Sequence, residues 1–317
     1  AYVMHRETQE FKDRVISFRP ENLTQGRVAV VELVGQTAEN ERPLADPEAG
    51  ALAKRLMWMY TDVAHVNALA DGLNKGEFVP FYQPLWDVQH QCWEGAETLI
   101  RWQHPTEGLI QSDTFIPVAE QSGLILELGA FVLRAACQQM MHWRQRGLPE
   151  GIIAVNVSAL QIHQPDFVED LARILRDTGL PAPALELELT ETLALEDTPI
   201  LIENLHRCQA LGIRLSIDDF GTGSSSLACL QCCPVTRLKI DKTFVTHMTT
   251  EPKDRAITES VITLGHNLNL SIVAEGVETA TQQQLLEKLG CDVLQGYRLA
   301  RPADAETTEA LWPGRSV

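Results

Sequence analysis

Between residues 79 and 294, short apolar runs alternate with longer amphipathic segments, and that rhythm restricts the chain to few folds. The runs are Val79–Leu85, Ala96–Trp102, Ile152–Val157, Leu185–Leu189, Ile213–Ile217, Val235–Ile240, Leu270–Ala274 and Cys291–Leu294. Helical spacing of apolar residues falls near 126–146, 166–178, 196–210, 253–268 and 279–289. Strands that alternate with helices pack as a parallel sheet covered by those helices. Eight such strands predict an α/β fold, a (β/α)8 TIM-type barrel. The competing arrangement is an open doubly wound sheet, which needs a glycine-rich fingerprint after its first strand. None follows Val79–Leu85.

Barrel active sites lie at the C-terminal ends of the strands. Here those ends carry Glu97, Asn156, Glu188 with Glu191, Asp218 with Asp219, Lys239, Glu275 and Gln295. A carboxylate or amide inside a run of Val, Ile and Leu is costly to bury unpaired. Seven of the eight strands carry that cost at one relative position, so convergence on a single cation-filled pocket explains them together. Adjacent Asp218 and Asp219 repel unless positive charge sits beside them. Gly221 and Gly223 follow at once and permit a sharp turn. Read alone, the pair is better explained as an N-cap before a surface turn, and it is the other strand ends that reverse this reading. Glu97, Asn156, Glu188, Asp218 and Asp219 form an oxygen-only donor set, with Glu275 close by, which suits magnesium, manganese or calcium. No His or Cys cluster points to zinc. Lys239 is either a structural counter-ion for these acids or the donor that holds an attacking water. Arg101 stands four residues beyond Glu97, hence on the same strand face, where it can meet a phosphate. Trp102 and the nine histidines read as core or solvated positions, since no predicted strand ends in a histidine.

The bulk composition narrows the partners. A formal charge of −17 disfavours duplex nucleic acid and anionic membrane, yet permits a phosphate ligand where a metal inverts the local sign. The seven cysteines show no paired spacing, which fits a reducing, cytoplasmic setting. No apolar stretch is long enough to span a bilayer, so no membrane contact is expected from this stretch. The chain reads as a fragment, with any upstream sensory, regulatory or membrane-anchored part outside it. Residues 1–70 form a separate lead-in. Within it, 27–34 has a strand pattern and 36–50 a loop composition. An amphipathic helix is expected near 52–73. That helix is either a short coiled-coil seam from an upstream domain or a helix packed on its own domain. The catalytic domain is expected over 71–317.

From about 71 to 313 the chain resembles the EAL domain family of cyclic di-GMP phosphodiesterases. The resemblance rests on Tyr82-Gln-Pro84, Glu97-Thr-Leu-Ile-Arg101, Phe115-Ile-Pro-Val-Ala-Glu120, Asn156-Val-Ser158 and Glu188-Leu-Thr-Glu191. It continues through Asp218-Asp-Phe-Gly-Thr-Gly223, Leu238-Lys-Ile-Asp241, Glu275-Gly-Val-Glu278 and Gln295-Gly-Tyr297. It implies a barrel that linearises cyclic di-GMP to pGpG with two magnesium or manganese ions, calcium being inhibitory. It implies metal ligands at Glu97, Asn156, Glu188 and Asp218, with Asp219 serving a second ion. Lys239 and Glu275 would act on the attacking water. Glu191 and Glu278 would brace the loop after Asp219, and Gln295 would support the site. Gln83, Leu99 and Arg101 would line the substrate groove. A homodimer is expected. The alternative is a catalytically silent cyclic di-GMP receptor. Two departures stand out: Thr98 replaces the usual Ala, and Ser224 stands where an aromatic is common. Strand alternation turns Thr98 away from Glu97, so its effect should be small.

Overall fold

A computed structural model describes residues 64–312, apart from 149, 195, 197 and 222–232. Contacts divide the chain into two units, 1–67 and 68–317. The strand pattern at 27–34, the loop at 36–50, most of the expected 52–73 helix and Ser224 lie outside the described residues. Residues 64–75 are helical. Leu69, on that helix, is 2% exposed and belongs to the main hydrophobic core.

The strands are β1 (Phe78–Asp87), β2 (Cys92–His104), β3 (Gly108–Ile110), β4 (Ile152–Asn156), β5 (Leu185–Thr190), β6 (Arg214–Phe220), β7 (Arg237–Ile240), β8 (Ser271–Ala274) and β9 (Val293–Leu294). They pair in the order β1-β9-β8-β7-β6-β5-β4-β2, and β1 also pairs with β2, which closes an eight-stranded barrel. β3 is appended to the far side of β2. Each apolar run of the sequence is a barrel strand. From β2 through β9 the barrel strands are parallel. β1 is antiparallel to both neighbours. The reason is local: only residues 88–91 separate β1 from β2, too few for the crossover a parallel pair requires.

The helices are α1 (Ser112–Ser122), α2 (Ile125–Gln145), α3 (Ala159–Ile162), α4 (Phe167–Thr178), α5 (Glu191–Ala194), α6 (Pro199–Ala210), α7 (Lys242–His247), α8 (Pro252–Asn267), α9 (Ala280–Leu289) and α10 (Ala305–Leu311). The expected helical segments are α2, α4, α6, α8 and α9. α1 has Pro117 in its interior, a residue that argues against a helix. The main core lies between strands and helices, as where Trp143 of α2 meets Tyr82 of β1 edge to face at 4.9 Å. A separate apolar layer, Leu85, Ile152, Val273 and Val293, fills one level of the barrel.

Two strand irregularities matter. Between β6 and β7, Asp218 and Asp219 together stand opposite the single residue Lys239. Between β1 and β2, the register skips Glu94. Each is a β-bulge, which inserts one extra residue and re-aims the side chains beside it.

Candidate active site

A regular strand sends consecutive side chains to opposite faces. The bulge at Asp218-Asp219 is how β6 brings two neighbouring carboxylates to one place, with Asp219 at φ 54. Asp tolerates that left-handed conformation better than most residues. The pair therefore lies within the strand and is not the cap of a surface turn. The amide of Asp219 donates to Asp218 Oδ1 at 2.9 Å. One oxygen each from Asp218, Asp219 and Glu275 lies within 4.8 Å of the others. The same closeness holds for Glu97, Glu188 and Asp218.

Lys239, opposite the bulge, is 1% exposed and sits among four carboxylates. Its Nζ lies 2.7 Å from Glu275, 3.0 Å from Glu188, 3.2 Å from Asp218 and 3.5 Å from Glu97. Burial alone would lower its pKa, but these carboxylates outweigh burial and hold it well above the ordinary lysine value. Burial would likewise raise Glu97, yet Lys239 and hydrogen bonds from Gln295 and Asn156 keep it below its usual range. Burial, reinforced by Glu97 and Asp218, drives Glu188 well above its usual range. Glu275 is pushed up to about 8, first by burial, against the pull of Lys239. Asp219 is pushed up to about 6 by burial and by the charges of Asp218 and Asp241. One ammonium does not neutralise this many acids.

The amides complete the pocket. Asn156 Nδ2 donates to Glu97 at 2.7 Å and to Glu188 at 3.2 Å. Gln295 Nε2 donates to Glu97 at 2.8 Å and to Gln83 at 3.3 Å. Gln83 in turn donates to the carbonyl of Ala300 at 3.1 Å. Leu99 is half-buried two residues beyond Glu97. Arg101, another two residues on, is buried and donates to the carbonyl of Ile100. Glu191, at the start of α5, accepts from the amide of Gly221 at 2.8 Å, just ahead of the loop whose bracing it was expected to provide. Glu278 is exposed, and its amide donates to Gln282. Thr98 is 3% exposed on the other face of β2.

Sequence reasoning passed over three features. Asp241, quoted only as the end of a motif, hydrogen-bonds the Asp219 carboxyl and caps α7 through the amide of Thr243 at 2.9 Å. Its signal was an acid two residues after a buried lysine. His104 does end a strand, contrary to expectation, because β2 runs two residues further than its apolar run. Its ring accepts from the amides of Thr106 and Glu107, a turn-capping task. The third is a second buried ion cluster. Arg237 Nη2 meets Glu94 at 2.6 Å, its Nη1 meets Glu186 at 3.4 Å, and Arg214 lies 3.7 Å from Glu94.

The donor set fits a divalent cation. Its ligand atoms are oxygens, the carboxylates outnumber the ammonium, and Glu188 Oε1 is buried without a hydrogen-bond partner. Glu97, Glu188 and Asp218 would hold one ion, with Asn156 turning its carbonyl oxygen inward. Asp218, Asp219 and Glu275 form a second acidic group beside it.

A closed barrel with an acidic, oxygen-lined pocket at its strand ends defines an α/β-barrel protein whose site could hold a divalent cation. The EAL domain family profile matches residues 66–302, and the chain belongs to that family. The chain is similar to the bifunctional diguanylate cyclase/cyclic di-GMP phosphodiesterase MucR of Pseudomonas aeruginosa, 42% identical over 238 residues, covering 75% of this chain and 35% of that protein. It is 36% identical over 239 residues to the oxygen sensor protein DosP of Escherichia coli, covering 75% of this chain and 30% of that one. A solved structure of the PaMucR phosphodiesterase in complex with c-di-GMP superposes with a TM-score of 0.74 at 41% identity, covering 77% of this chain and 99% of that one. The chain thus spans about a third of the length of the curated relatives it matches. No helix among the described residues is long and apolar enough to cross a membrane.

Proposed function

We propose that this chain hydrolyses cyclic di-GMP to linear pGpG with magnesium or manganese. The observation that carries the reading is Lys239 enclosed by Glu97, Glu188, Asp218 and Glu275 at the strand ends, an arrangement left acid-rich until a cation enters. Supporting it, MucR carries the phosphodiesterase name and the PaMucR structure is a c-di-GMP complex.

Glu97, Asn156, Glu188 and Asp218 would hold one cation, and Asp219 would serve a second. When bound, such cations polarise a phosphoryl oxygen and acidify water. The chain's own groups do the rest. Arg101 pairs with a substrate phosphate, and Gln83 and Leu99 set the lie of the nucleotide. Charged Lys239 has no lone pair to act as a base. It donates hydrogen bonds to the attacking water and to the phosphoryl oxygen as negative charge builds there. Glu275, 2.7 Å from Lys239, orients the same water. Attack in line forms a bond from the water oxygen to phosphorus and breaks the bond to the 3′-oxygen. The water's protons end on the 3′-hydroxyl and in solvent. Glu191 holds the chain after Asp219 through Gly221, and Gln295 fixes Glu97. Residues 71–317 act as the catalytic domain, with residues 1–70 as a regulatory lead-in and a homodimer as the working form.

A product assay tests this. Purified protein with cyclic di-GMP should release pGpG in manganese or magnesium, release none in EDTA, and be suppressed by calcium, whose longer bonds and higher coordination number hold water unproductively. Tight nucleotide binding in manganese with no product would make the chain a receptor instead.

A further inference from the structure

Because β1 is antiparallel, its first half extends beyond the pocket end of the barrel, alongside the second half of β2. Alternation assigns the faces. Tyr82 and Phe78 turn outward to the core around Trp143, Trp102 and Phe115. Residues of the opposite parity share the face of Gln83 and Glu97. On β1 these are Phe81 and Val79. On β2 they are Leu99, Arg101 and Gln103, and Leu109 of β3 pairs with Gln103. The face that carries Gln83 and Glu97 therefore continues as a sheet wall on which Val79 and Phe81 are half-buried. Phe81 pairs directly across from Leu99, one step above Glu97, and Val79 pairs across from Arg101, one step further. At about 3.3 Å per residue, Leu99 and Phe81 stand roughly 7 Å above the acid cluster. A cleft of about 600 Å³ lies further along this wall, with Phe81 at its edge and Val79, Glu77, Gln103, His104 and Leu109 among its other lining residues. Phe81 is half-buried, makes no ring contact with another aromatic among the described residues, and presents its ring to that cleft.

We propose that Phe81 is a stacking shelf for a purine base of the dinucleotide whose phosphate lies at the acid cluster. The proposal rests on the cyclic di-GMP reading above and adds to it a determinant of base recognition. Spacing supports this occupant: the Phe81–Leu99 pair lies one same-face step from Glu97, within reach of a base attached to a nucleotide whose phosphate is at the acids, and Arg101 lies one step further. Leu99, beside Phe81 on the same face, widens the apolar shelf, and Gln103 offers both an amide donor and an acceptor at the far edge. A diester without bases gains nothing from such a shelf. The wall therefore selects nucleotides over other phosphodiesters.

The test compares parent protein, Phe81→Ala and Phe81→Trp. Affinity for cyclic di-GMP is measured by calorimetry, and turnover in manganese is measured on cyclic di-GMP and on an abasic ribose dinucleotide diester, which has no ring to stack. Loss of one base stack weakens binding roughly 5- to 150-fold. Phe81→Ala should raise Kd and KM for cyclic di-GMP within that range and move kcat much less. Its kcat/KM on the base-free diester should fall by a smaller factor, and Phe81→Trp should restore affinity. Equal losses on both substrates, or parental Kd in Phe81→Ala with an intact melting transition, would overturn the shelf. A parent protein that neither binds nor cleaves cyclic di-GMP would overturn the functional reading first, and the shelf with it.

Discussion

The barrel holds two buried ion clusters whose cations stand two residues apart on β7, and they are built to opposite ends. Buried Arg237 meets Glu94 and Glu186, and half-exposed Arg214 lies close to Glu94 at the cluster's rim, so two carboxylates face two guanidiniums. Lys239 meets four carboxylates alone. Both clusters use a bulge, which aims Glu94 into one and the Asp218-Asp219 pair into the other. A cluster that serves folding balances its charge, because an uncompensated buried ion is strongly destabilising. A cluster that serves chemistry is left unbalanced for what it must bind. Buried charge is therefore a poor guide to a site, and the sign and size of the imbalance are a better one.

The largest effects should come from removing the two cations. On the proposed reading, Lys239→Ala would delete a donor to the reacting water and phosphate, a loss that typically costs on the order of 10²–10³ in rate. With metal bound, kcat should fall by that factor while cyclic di-GMP affinity stays within a few-fold. Arg237→Ala should do the reverse. It strands Glu186 and Glu94, at a cost of about 3–5 kcal/mol in stability, with kcat per folded molecule near parental. Kinetics and melting curves on both variants decide. A Lys239→Ala protein that loses stability but keeps its kcat would make Lys239 a second Arg237.

Next in size is the edge of the domain. A chain starting at residue 64 should melt close to the parent barrel, because it retains Leu69. Deleting residues 1–70 removes Leu69 from the core, at about 2–5 kcal/mol for losing a large buried aliphatic side chain. Equal melting temperatures for the two truncations would show that the 64–75 helix is dispensable.

A finer comparison uses β5, where Glu186 and Glu188 are each 1% exposed and two residues apart. Glu186→Gln breaks a matched pair and should cost about 1–3 kcal/mol. Glu188→Gln removes one acid from an excess. In EDTA it should melt at or above the parent temperature, and the rise in melting temperature expected of the parent in manganese should be lost. Destabilisation of both variants alike in EDTA would erase the distinction between the clusters.

Those two glutamates also mark where the sequence stops being legible. The strands were readable because each is a near-continuous run of Val, Ile and Leu, as parallel strands buried on both faces must be. The site was readable because a polar residue at the end of such a run has no packing reason to be there. Leu185-Glu-Leu-Glu-Leu189 places both acids on one face, and the strand-end rule picks out Glu188 correctly. What the sequence does not show is that Glu186 is equally buried against Arg237, because that pairing depends on the register of β5 against β7 through the barrel. The reversal of β1 came from a loop too short for a helix, a cue present in the sequence but outweighed by the repeating pattern. The antiparallel wall and Phe81 were hidden with it. The bulge at Asp218-Asp219 leaves no compositional trace, so the adjacent acids, taken alone, read first as a turn.

The smallest expected effect lies on the back of the strand that carries Glu97. Thr98 replaces the usual Ala of the family signature, is 3% exposed, and its hydroxyl is buried without a hydrogen-bond partner. An unmet buried hydroxyl costs about 1–3 kcal/mol. Thr98→Val keeps the shape and β-branching and removes the hydroxyl, so it should raise the melting temperature by a few degrees, at about 2–4 °C per kcal/mol for a domain of this size. Thr98→Ala relieves the same hydroxyl but forfeits a buried methyl worth about 0.8 kcal/mol and some strand preference. It should therefore melt within about 2 °C of the parent. Neither variant should alter kcat or metal affinity, because the side chain points to the helices and Glu97 points to the pocket. A rate change in Thr98→Val without a change in melting would mean that the outer packing of β2 sets the position of Glu97, and the two faces of the strand would no longer be separable.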